Sequence, residues 1–98
     1  MADVTVTKFN SRILNGNAIG QKSVDIISTD FRILKTSNSN IAIPFYVKAI
    51  TTEGIIKVKD YYGSDVDITI TELNKYDIVP VVKVYKAGTT AEGIIAAF

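Results

Sequence analysis

The 98-residue chain contains no cysteine, no histidine and no tryptophan, and only two prolines and one methionine. Without thiols there are no disulfides, no thiolate nucleophile and no zinc–thiolate site, and the redox compartment is left open. Without histidine there is no imidazole base and no metal site of the common kind. Charge of one sign is also lacking: 11 Lys plus Arg face 10 Asp plus Glu, a formal net charge of +1. The basic residues stand singly along the chain, whereas affinity for nucleic acid comes from counterions released along a contiguous basic stripe. No nucleic-acid partner is expected. Apolar runs fall well short of the roughly 20 residues of a membrane span. The residues after Met1 have no basic stretch followed by an apolar one, as an export signal would. The sequence predicts a soluble protein with no membrane partner.

What the chain does contain is apolar material for a core: 47% of residues are hydrophobic and 21% charged. A chain of this length buries roughly 60–65% of its unfolded surface around one core, so a single domain is expected, with residues 1–22 as an N-terminal strand or arm and loop ahead of a β-sandwich over 23–98. Residues 3–9 (DVTVTKF) alternate with period two, the pattern of a half-buried strand. That strand is expected at an edge, or paired with a neighbouring subunit. Residues 10–22 carry three Asn and two Gly, with Asn15-Gly16 as a turn signal. Two short apolar pieces, 24–27 and 31–34, predict one or two strands, and the polar run 36–40 (TSNSN) predicts a loop.

Residues 41–50 (IAIPFYVKAI) set Ile41, Ile43, Phe45, Val47 and Ala49 on one face of a strand, with Pro44 calling for an edge or a bulge because it has no amide donor. After a turn at 51–54 come two alternating runs, 55–59 and 65–71, around a loop containing Gly63. This arrangement predicts a β-hairpin with Ile56, Val58, Val66, Ile68 and Ile70 facing inward. Residues 72–76 are long enough for one helical turn at most. The closing stretch, 77–98 (DIVPVVKVYKAGTTAEGIIAAF), reads as a long β-branched strand apolar on both faces in its first half, a small-residue turn and a second apolar strand. These two strands look like a core hairpin, the first of them central or between packed layers. Seven or eight short strands spaced by turn signals predict an all-β fold: a single-domain antiparallel β-sandwich or a small jelly-roll-like barrel.

Four groups of residues invite a chemical reading. Asp60, Asp65 and Asp67 around Gly63 have oxygen ligands for Ca²⁺, but their spacing is not that of an EF-hand, and a solvated hairpin tip is preferred. Ten acids allow a glycosidase-like carboxylate pair, and nothing in their placement singles one out. Tyr61 and Tyr62 at the hairpin tip offer a stacking or partner-contact platform, weighed against one ring packing on the hairpin. Residues 86–93, with Gly88 and Gly93, form a turn whose amides could meet an anion, but no phosphate-binding spacing or following helix is present. No catalytic residue, cofactor or metal is expected.

Several of these residues carry a resemblance. Tyr46-Val47 through Gly54, Val58 with Asp60 and Gly63, residues 65–70, the strand Asp77-Ile78-Val79-Pro80-Val81 and the turn Gly88-Thr89-Thr90-Ala91-Glu92-Gly93-Ile94 together resemble the head spike base proteins of tailed phages and gene transfer agents. The family runs from a G-x-V-x-V hairpin to an I-L-P-V strand and a closing G-T-T-A-x-x-I turn. The similarity covers roughly residues 26–98. Gly88, Thr89, Thr90, Ala91 and Gly93 are its most specific part. The resemblance implies a non-enzymatic virion structural protein on the capsid exterior, assembled in the host cytoplasm. Its partners would be copies of itself, with a pentamer favoured, the capsid shell protein and a spike or fibre protein. A carbohydrate-binding or cell-attachment β-module using Tyr61 and Tyr62 is the alternative from a different class. A tail or baseplate component is the third reading.

Overall fold

Nine strands account for all the regular structure in the computed structural model, which describes residues 3–9, 18–26, 29–36 and 38–98. They are β1 (Val4–Val6), β2 (Gln21–Ser23), β3 (Ile33–Lys35), β4 (Asn38–Ala42), β5 (Tyr46–Thr52), β6 (Gly54–Asp60), β7 (Asp65–Ile70), β8 (Val81–Val84) and β9 (Glu92–Ala97). Three three-stranded sheets result, in the orders β1-β3-β4, β2-β9-β5 and β7-β6-β8. Among the described residues only β1 and β3 run parallel, and every other strand pairing is antiparallel. The fold is an all-β sandwich, as its alternating sequence predicts. Its radius of gyration of 12.1 Å is close to the about 12.6 Å expected of one compact domain of this length.

The core forms where the inward faces of the three sheets meet. Phe31 and Phe45, both fully buried, pack edge to face with ring centroids 5.6 Å apart, the geometry the ring quadrupoles favour. Ile33, Val47, Ile56, Val58, Val81 and Val84 close around them. Each such side chain contributes about 1.5–3 kcal/mol on leaving water. Backbone bonds tie the same two phenylalanines to β8: Phe31 and Val84 exchange N–H···O bonds at 2.9 Å, as do Phe45 and Val81 at 2.8 Å. With β6 on its other edge, β8 has partners on both sides. This placement accounts for the apolar character of its sequence.

Several expectations are corrected by the structure. The polar run 36–40 is not all loop, because β4 begins at Asn38 and pairs with β3 through Lys35↔Asn38 and Leu34↔Ala42. Strand pairing uses main-chain groups that polar residues also supply. The continuous strand expected over 41–50 is broken at Ile43 and Pro44 between β4 and β5, so Ile43, Phe45, Val47 and Ala49 are buried while Ile41 is exposed. Residues 72–76 form a turn, with Asn74 at φ 62° donating its N–H to the Ala49 carbonyl. The long strand expected from 77 shrinks to four residues, because Asp77 to Pro80 turn before it. Moreover, β8 and β9 are no hairpin. They belong to different sheets, and β9 lies between β2 and β5.

The β6–β7 hairpin is as expected, with Ile56, Val58, Ile68 and Ile70 buried and Val66 half-buried. In the N-terminal segment, β1 is a three-residue edge strand held on β3 within its own chain, and Val6 reaches the core. Asn15-Gly16 and Ile27 lie outside the described residues.

Candidate functional site

Glycine, threonine and alanine in residues 88–93 are set in place by one strand edge. Beyond Val84, β8 no longer covers β6, and the exposed main-chain groups of β6 need other partners. Tyr85 donates its N–H to the Lys57 carbonyl at 2.8 Å. Thr89 Oγ1 accepts the Lys57 N–H at 3.0 Å and donates to the Tyr85 carbonyl at 2.7 Å. Thr90 Oγ1 accepts the Ile55 N–H at 2.9 Å, while the N–H groups of Thr90 and Ala91 donate to the Ile55 carbonyl at 2.7 and 3.1 Å. Two threonine hydroxyls thus act as a missing strand. A third amide of the turn, the Lys86 N–H, donates to Asp30 Oδ1 at 2.8 Å. Gly93 adopts φ 68°, and a Cβ there would lie 2.9 Å from the Thr51 Cβ. Only glycine combines that dihedral with that approach. Ala91 is buried in the core.

The hairpin tip is held by local hydrogen bonds. Asp60 Oδ1 accepts the N–H groups of Tyr62 and Ser64, each at 2.9 Å, and Gly63 takes φ 89°, an Asx-turn arrangement. Tyr61 is fixed by its own N–H, which donates to the Pro80 carbonyl at 3.0 Å. The two rings stand edge to face at 5.5 Å, with Tyr61 45% and Tyr62 83% exposed. They form an aromatic prominence of the kind that partner surfaces and sugar rings engage.

The aspartates considered for Ca²⁺ are otherwise engaged. One Asp60 oxygen holds the tip, Asp65 lies 3.5 Å from the Lys59 ammonium, and Asp67 lies 4.0 Å from that of Lys57. The Tyr85 hydroxyl donates to Asp65 Oδ1 at 2.6 Å. That hydrogen bond lowers the Asp65 pKa, as the nearby Lys59 also does, and raises that of the Tyr85 phenol against the opposing pull of Lys59; the carboxylate raises the Lys59 ammonium. These are directions expected of mutually stabilised ions. Among the described residues no three His, Cys, Asp or Glu side chains gather as a metal site.

Composition and periodicity did not reveal a groove of about 830 Å³ lined by Ile19, Gly20, Gln21, Tyr46, Tyr76, Ile78 and Ala97. Its walls come from four separate stretches of the chain, residues 18–21, 46, 76–78 and 97. Ile78 is 88% exposed at the tip of a turn in which Asp77 Oδ2 accepts the Val79 N–H at 3.0 Å, and Ile19 is 62% exposed. The Gln21 amide donates to the Tyr76 hydroxyl at 2.9 Å, and the Lys48 ammonium lies 4.6 Å from the Tyr76 ring centre. Burial raises the Tyr76 pKa. No signal in the sequence pointed to it, since residues 77–80 read as the start of a strand. Compared with protein families, curated proteins and solved structures, the chain matches none.

Proposed function

We propose that the chain is a structural module of a tailed-phage-type virion: a head spike base or decoration protein on the capsid exterior. It joins the shell to a spike or fibre, assembles with copies of itself, a pentamer being favoured, and catalyses nothing. The observation that carries this reading is the turn Gly88-Thr89-Thr90-Ala91-Glu92-Gly93-Ile94, which resembles the closing turn of that family. Exposed apolar side chains at Ile19, Ile78 and Tyr62 support it, because such residues are covered when subunits associate. Light scattering coupled to gel filtration tests the assembly: a cyclic oligomer is expected at micromolar concentration, and a strict monomer overturns the reading. A trimer or hexamer instead supports a tail or baseplate position. Locating the chain in density of the intact particle tests the capsid attachment.

The exposed Tyr61–Tyr62 pair favours a second reading, a carbohydrate-binding or cell-attachment module. It predicts glycan or cell binding that Tyr61→Ala and Tyr62→Ala abolish, and unchanged binding refutes it.

A further inference from the structure

The outer edge of the hairpin is an open strand whose hydrogen-bonding groups and charges define a ligand. Within β6, Ile55 and Lys57 turn their N–H and C=O groups toward Tyr85, Thr89 and Thr90. Backbone groups alternate sides along a strand, so Ile56 and Val58 face β7 and pair there with Ile68 and Val66. By the same alternation, Asp65, Asp67 and Thr69 direct their N–H and C=O groups away from β6, off the end of the β7-β6-β8 order. No described residue forms a backbone hydrogen bond with these three. The other long edge strand, β5, is not open in this way, since the N–H groups of Asn74 and Asp77 donate to its Ala49 and Val47 carbonyls.

Side chains on β7 divide cleanly: Asp65, Asp67 and Thr69 lie on the solvent face, and Ile68 and Ile70 on the core face with Val66 half-buried beside them. The inner edge already shows what complements this pattern. There β6 sets Lys59 opposite Asp65 and Lys57 opposite Asp67, with Val58 and Ile56 between them on the apolar face. A strand added on the outer edge meets the same alternation. A second copy of β7 is a poor occupant, because the longest antiparallel register that matches the outward main-chain groups, Asp65↔Thr69 and Asp67↔Asp67, sets two aspartates directly opposite each other, and like charges so placed repel.

We propose that β7 is a docking edge for an extended segment of a partner protein in which Lys or Arg alternates with Val or Ile, added antiparallel as a fourth strand of this sheet. Main-chain bonds to Asp65, Asp67 and Thr69 hold the segment; Lys59, Tyr85 and Lys57 approach the two exposed carboxylates at Oδ1, and the Oδ2 atoms select basic residues at every second position. The same carboxylates keep copies of the protein from pairing edge to edge. The proposal does not depend on the virion reading, and either can fail without the other.

Hydrogen exchange on the full-length chain tests it, with the end-capped peptide Thr-Val-Lys-Val-Lys-Val as probe, which runs antiparallel with Thr opposite Thr69 and its lysines opposite Asp67 and Asp65, as β6 does on the inner edge, and Thr-Val-Glu-Val-Glu-Val as control. At saturating basic peptide the amides of Asp65, Asp67 and Thr69 are expected to exchange at least about tenfold more slowly, while those of Val66, Ile68 and Ile70, already bonded to β6, change little. Asp67→Lys is expected to weaken binding about tenfold and reduce its salt dependence. Thr69→Pro removes one outward N–H while sparing the inner ladder, and is expected to abolish binding with the inner amides still protected. Should that variant fail to fold, Asp67→Lys, which leaves the backbone intact, decides. Unprotected outward amides at millimolar basic peptide, or equal binding of the acidic control, overturns the proposal.

Discussion

Replacing Thr89 by valine removes one hydroxyl and leaves the side chain's shape almost unchanged, so its effect isolates the hydrogen bonds. Thr89 Oγ1 serves two main-chain groups, the Lys57 N–H at 3.0 Å and the Tyr85 carbonyl at 2.7 Å, and the site is partly buried. Both groups lose their partner, and stranding polar groups out of full contact with water costs about 1–3 kcal/mol. Thr90→Val strands only the more exposed Ile55 N–H, for which about 1 kcal/mol is expected. In a domain of this size 1 kcal/mol corresponds to about 4–8 °C in Tm. At about 2 kcal/mol, the middle of its range, Thr89→Val should lower Tm by about 8–16 °C, and Thr90→Val by about 4–8 °C. The double variant should lose less than the sum, because the two bonds hold one turn against one strand. Thermal unfolding followed by circular dichroism gives the shifts, and hydrogen exchange at Lys57 and Ile55 shows whether the edge has opened. Thr89→Ser, which keeps the hydroxyl, should lie much nearer the parent. A Thr89→Val protein that melts within about 2 °C of the parent and keeps the Lys57 amide protected would refute the strand-substituting role.

Three further outcomes follow from the packing and charges. Gly93→Ala should destabilise by about 1–3 kcal/mol, since the new Cβ meets Thr51 at a φ of 68°; chemical denaturation measures it. Phe31→Ala should cost about 3–5 kcal/mol, because the fully buried ring packs on Phe45 beside β8, and urea titration at constant m-value checks it. Arg32 donates to both oxygens of Asp3, at 3.2 and 2.8 Å, and this hydrogen bonding lowers the Asp3 pKa and raises that of Arg32. A carboxylate whose pKa is lower folded than unfolded contributes stability above its unfolded value near 3.9, and that contribution disappears as pH falls through the lowered folded value. The pair is substantially exposed, with side chains 44% and 27% accessible, so the contribution is only about 0.2–1 kcal/mol and shrinks with added salt. Asp3→Asn should remove this pair's share of the pH dependence in that acid window and of the salt dependence, leaving that of Asp65, as read by Tm against pH.

The β6–β7 hairpin was legible because a period-two pattern on both sides of a glycine loop leaves one way to bury Ile56, Val58, Ile68 and Ile70 together. Strand β4 was hidden because Asn38 joins the ladder through its backbone, which residue type barely reports. The Tyr61–Tyr62 tip could be placed from the sequence, since local turn chemistry at Asp60 and Gly63 fixes it. The groove between Ile19, Tyr76 and Ile78 could not, because its walls are neighbours only in space.

The residues 77–98 show where this division lies. Their composition determined that two apolar strands flank a small-residue turn, because alternation and glycine act over a few bonds. Which strands pair with which was decided by the tertiary structure alone. Strands β8 and β9 are equally apolar and adjacent in sequence, yet β8 lies beside β6 and the two buried phenylalanines, and β9 beside β2 and β5. Apolar strand faces are chemically interchangeable, so only the joint packing of Phe31, Phe45 and the valines around them, with the outward main-chain groups of Ile55 and Lys57 in β6 satisfied by Tyr85, Thr89, Thr90 and Ala91, selects one arrangement.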